Sequence, residues 1–127
     1  MSYYFSKILP GFDEAVRRTT EALKNAGFGI ITEIDVKQTL KAKLGVDFRN
    51  YRILGACNPT LAYEALQLED KIGIMLPCNV VVQSIGSEQT EIAAIDPVAS
   101  MQAIKNARLK HAAKQVQTLL RDVIDAL

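Results

Sequence analysis

From Asn106 to the end of the chain, apolar side chains recur at Leu109, Ala112, Ala113, Val116, Leu119, Leu120, Val123, Ile124 and Leu127. That spacing is the signature of a long helix with one apolar stripe. Such a stripe must be laid on another apolar surface, and the preceding sequence offers one. Strand-like runs occur at Ser2–Ile8, Gly29–Asp35, Tyr51–Ala56, Cys78–Ile85 and Thr90–Ile95. Gly86-Ser87-Glu88 reads as the turn of a hairpin between the last two. Helices are expected at 12–25, 36–44 and 59–68, with a shorter piece over 98–104.

These helices have local start and stop signals. Asp13 and Glu14 open the first, Lys24 lies near its end, and Gly27 can take the left-handed conformation that ends it. Asp35 is placed to cap the second helix, whose buried face is read as Val36, Leu40 and Leu44. Asn58-Pro59 is placed as N-cap and first residue of the third. Strands and helices mix without strict alternation. The expected fold is therefore α+β in two layers: one mixed sheet, helices mainly on one face, and a long C-terminal helix. The first strand has apolar groups on both sides and is expected to be largely covered.

A chain of 127 residues makes one domain with a sufficient core. Its 15 basic and 14 acidic side chains leave a net charge of +1, which gives no pull toward nucleic acid or an anionic membrane. No run reaches the ~18 apolar residues of a membrane span, and the first residues do not resemble a signal peptide. Two cysteines in such a chain read as reduced cytoplasmic thiols.

Chemistry concentrates at Cys57-Asn58-Pro59 and Pro77-Cys78-Asn79. Cys57 precedes a helix N-terminus, where free N–H groups and the dipole favour a thiolate or a bound anion. The competing reading is a small buried filler. Cys78 gains interest only by meeting Cys57 in space. Both asparagines read first as caps. Two cysteines and the distant His111 lack the ligand spacing of a zinc site, so no metal and no cofactor are expected. Phosphate loops, dinucleotide fingerprints and hydrolase elbows are missing, so no catalysis is expected.

The runs Ala26-Gly27-Phe28-Gly29 to Ile34-Asp35-Val36, Tyr51 to Pro59, Ile72 to Val80, and Ile95-Asp96-Pro97 together resemble the uncharacterised bacterial and archaeal family of unknown function numbered 302. The resemblance implies a small α+β fold, a mixed sheet backed by helices, and a homodimer. It brings no reaction. Two functions follow from the residues. One is a homodimeric binding module whose pocket, for a small or anionic ligand, is lined by Cys57, Asn58, Pro59, Cys78 and Asn79. Self-association would use the last helix and Thr90–Ile95 as an edge strand. The other is a thiol-dependent redox or sulfur-handling protein using Cys57 with Cys78 as partner.

Overall fold

In the computed structural model, which describes residues 2–127, the chain forms five strands and five helices. The strands are β1 (Tyr4–Leu9), β2 (Gly29–Asp35), β3 (Tyr51–Cys57), β4 (Cys78–Gly86) and β5 (Gln89–Ile95). The helices are α1 (Phe12–Asn25), α2 (Val36–Leu44), α3 (Pro59–Leu68), α4 (Pro97–Ser100) and α5 (Ala107–Asp125). A 3₁₀ turn spans Ile72–Met75. Among the described residues no helix is long and apolar enough to cross a membrane.

The α+β class and the long last helix are as expected. The sheet, however, is wholly antiparallel rather than mixed, in the order β1-β5-β4-β3-β2. The reason is the reach of α1. It joins β1 to β2 as parallel strands, but at opposite edges, and three antiparallel strands fill the space between. β5 is consequently interior, flanked by β1 and β4, so it offers no free edge. β1 takes the edge instead, with Tyr4 and Ile8 exposed, which corrects the covered strand read from its pattern.

One side of the sheet is the core. A cross-strand row of Leu54, Val80, Ala94 and Phe5 lies on it, and Val82 and Ile92 pair beside that row. Ala15 and Leu23 of α1 and Leu120, Val123 and Ile124 of α5 pack over these residues. The buried part of the α5 stripe is therefore spent within its own fold, Leu120, Val123 and Ile124 on the sheet and Leu109 and Ala113 beyond it, and is not free for self-association. Gly27, at φ +92°, turns the chain after α1 and lets Phe28 enter the core.

A second, smaller core lies beyond the end of the sheet. Ala65 of α3, Ile72, Met101, and Leu109 and Ala113 of α5 form it. Asn106 ties this lobe together, capping α5 through Arg108 and Leu109 while its Nδ2 donates to the Leu68 carbonyl.

Among the described residues, the other side of the sheet carries no such helical layer. There Ile34, Ile53, Val81, Ala93 and Ser6 form a row across all five strands. α2 begins and ends where the sequence placed it and is capped by Asp35, but it buries no residue, and Leu44 is 69% exposed. Four-residue spacing alone marks a face without showing that anything covers it.

Candidate functional site

β3 ends and β4 begins at the same edge of the molecule, where α3 leaves the sheet. Cys57 is the last residue of β3 and is half-buried; Cys78 is the first of β4 and is buried. The register pairs Cys78 with Ala56, so the two cysteines are one position out of step. Strand alternation sends successive side chains to opposite faces, which rules out a directly opposed pair. Both nonetheless line one hollow, because the cavity sits at the sheet's end rather than on a face.

That cavity has a volume of about 40 Å³. Its walls come from both cores: Phe28, Ala56 and Val116 on the sheet side, Ala65, Met101 and Leu109 on the lobe side. Asn58 is the one strongly polar side chain on the wall. Its Oδ1 accepts from the Leu61 N–H at 3.1 Å, so it serves as the N-cap of α3. A Cβ on Gly27 would lie 3.1 Å from the other end of that amide, so a glycine there keeps room for the cap. Pro59 follows at the first helical position, exposed, and has no N–H to give an anion. The start of α3 is thus a capped helix end more than an anion cradle.

Burial pushes the Cys78 thiol up to about 11, and nearby Cys57 adds to the shift. The apolar wall disfavours the charged form, leaving Cys78 a neutral thiol at physiological pH. Asn79, despite repeating the Cys-Asn pattern, is exposed on β4. It borders a wide concavity of about 370 Å³ on the open face, with Tyr4, Tyr51, Val81 and Ile95. The two look-alike motifs therefore do different work. His111 is exposed on α5 and lies outside the hollow.

Sequence reasoning missed Met101. It follows α4, is buried, and lines the same cavity as the two thiols. Nothing in its spacing points there; Asp96 brings it in. Asp96 caps the short α4 through the Val98 and Ala99 N–H groups and accepts two bonds from Gln117 Nε2 on α5, at 3.1 Å each. Pro77 forms the cavity's rim, and its peptide bond with Leu76 is cis.

The profile of a family described as "Domain of unknown function DUF302" matches residues 5–127. Among solved structures, an uncharacterised conserved protein DUF302 from Bacillus stearothermophilus is similar throughout. The identity is 28%, the TM-score is 0.90, and 98% of each chain is covered. A comparison with curated proteins returns no match.

Proposed function

The chain belongs to the DUF302 family, and we propose that it is a small homodimeric binding module with an apolar pocket at the ends of β3 and β4. The observation that carries this reading is the seam. Two separately packed cores meet there without filling the space between them, and the wall is almost entirely apolar. Native interiors leave few voids larger than a water, so an unfilled seam is informative. At about 40 Å³ it holds a few water-sized spheres. A drug-sized ligand needs several hundred Å³. The occupant is thus small, or α3 and the 3₁₀ turn swing away to admit it.

Xenon and benzene are suitable probes, read by methyl NMR on the full chain. Shifts confined to Ala62, Leu109 and Ala113 are the expected result. Ala62→Met, which fills the hollow, should abolish them. Unchanged spectra under xenon pressure would sink the pocket.

The dimer surface in this reading is the open face of the sheet. Ile34, Ile53, Val81 and Ala93 of its cross-strand row, with exposed Ile8 and Tyr4 beside them, give that face an apolar surface of the kind that marks an interface. A reducing, cytoplasmic location would keep both thiols free.

A thiol-dependent role is the second reading, favoured by the shared cavity of Cys57 and Cys78. It meets two obstacles: the offset register and the raised Cys78 thiol. Diamide treatment followed by mass spectrometry tests it. An intramolecular disulfide forming without unfolding supports the pair, and two intact thiols count against it.

A further inference from the structure

We infer that the hollow between α3, α5 and the sheet end binds one soft monovalent ion, Cu(I), between the sulfurs of Cys57, Cys78 and Met101. The inference rests on the pocket reading above and names its occupant. Three sulfur-bearing side chains arrive from three separate places in the sequence: the end of β3, the start of β4 and the residue after α4. All three line one cavity of about 40 Å³. That is ample for a single ion and small for a metabolite.

The donor set decides which ion. No carboxylate or imidazole lines the cavity, and the only amide oxygen on its wall is committed to the Leu61 N–H. Among the described residues no group of three or more His, Cys, Asp and Glu is placed to hold a metal. Hard cations such as Mg²⁺ and Ca²⁺ want oxygen ligands. Structural zinc takes four ligands, nearly always including more than two thiolates or imidazoles. Thiolates with a thioether instead select Cu(I).

Binding is a ligand exchange with no change of oxidation state. Cu(I) forms bonds to two thiolate sulfurs and one thioether sulfur, and the two thiol protons leave to solvent. The complex carries one net negative charge.

The test uses the reduced full chain under anaerobic conditions, titrated with the Cu(I)–bicinchoninate complex in weak buffer. The expected result is withdrawal of one equivalent of Cu(I), release of two protons per ion, and protection of both cysteines from alkylation. Cys57→Ala and Cys78→Ala should each weaken binding by at least about a hundredfold, and Met101→Leu by about tenfold. Met101→Leu keeps the side-chain volume, and Cys57 is only half-buried, so these two variants keep the test decisive if Cys78→Ala does not fold. Failure to withdraw Cu(I) overturns the inference, as does undiminished binding by Met101→Leu or by Cys57→Ala. Xenon separates the two proposals. If xenon enters while Cu(I) stays on its chelator, the metal reading falls and the pocket stands; if neither enters, both fall.

Discussion

Gly55→Ala tests how tightly the end of the sheet is built around the pocket. Gly55 lies in β3 between Thr32 on β2 and Asn79 on β4, and it is buried. A Cβ there would sit 2.0 Å from Thr32 Oγ1, 3.3 Å from Thr32 Cβ and 2.7 Å from Pro77 Cγ. The threonine is exposed and can rotate its hydroxyl into water. The proline ring has no comparable freedom, so it must be pushed outward, with Cys78 behind it. Overpacking of this kind costs about 1–3 kcal/mol. For a chain of this length that corresponds to a fall in Tm of roughly 3–15 °C. Urea unfolding followed by far-UV circular dichroism measures it, with an unchanged m-value showing that stability alone has moved. Adding Thr32→Ala to the variant should restore only a minor part, because Pro77 remains. A Gly55→Ala protein within about 0.5 kcal/mol of the parent would refute the close approach. Full rescue by Thr32→Ala would refute the role given to Pro77.

The Cys78 thiol gives a pH dependence. Its folded value of about 11 lies above that of an unfolded cysteine, so the folded chain keeps a proton that the unfolded chain has lost. Its contribution to stability is whole below the unfolded value and is lost as pH rises toward 11; unfolding curves compared with those of Cys78→Ala measure it, and a Cys78 alkylation rate already at its plateau near pH 9 contradicts it. Asn58→Ala should cost about 1 kcal/mol through loss of one cap. Asp96→Ala should cost more, since it removes a cap and the Gln117 tie together; equal losses in denaturant titrations would refute that ranking. Val81→Arg, at the centre of the open face, should leave circular dichroism unchanged and halve the mass measured by light scattering at micromolar concentration. A parent protein already at 14.0 kDa would remove the dimer.

The elements of this fold were legible wherever a residue type carries its own mechanism. Asn58-Pro59 and Asp35 mark helix starts because the side chain itself supplies the missing acceptor, and both cap as read. Gly86 to Glu88 turns the β4–β5 hairpin for a similarly local reason, with Glu88 at φ +57°. Strand order was not legible. Val80 and Ile92 look alike whether their strand is central or marginal, because a strand's partner is set by distant backbone. That is why β5 read as an edge and β1 as covered. The site shows the same division. Cys57 and Cys78 announce themselves as strand ends, but Met101 lines their cavity from a segment that Asp96 fastens to α5. Asn79 copies the local pattern of Asn58 and yet belongs to the opposite side of the sheet.

The placement of β1 carries a consequence for synthesis. Among the described residues its only partner strand is β5, with Tyr4 opposite Ile95 and Leu9 opposite Thr90. Lys7 then donates to the carbonyl of Asp125, at the far end of α5. β1 precedes its partner by some eighty residues of chain, so it waits, unpaired, until β5 has emerged. Loop closure over that span is slow relative to local pairing. A nascent chain halted before Gln89 should show β1 open to protease, and the β1 edge of the sheet closes only once β5 and α5 have both been made.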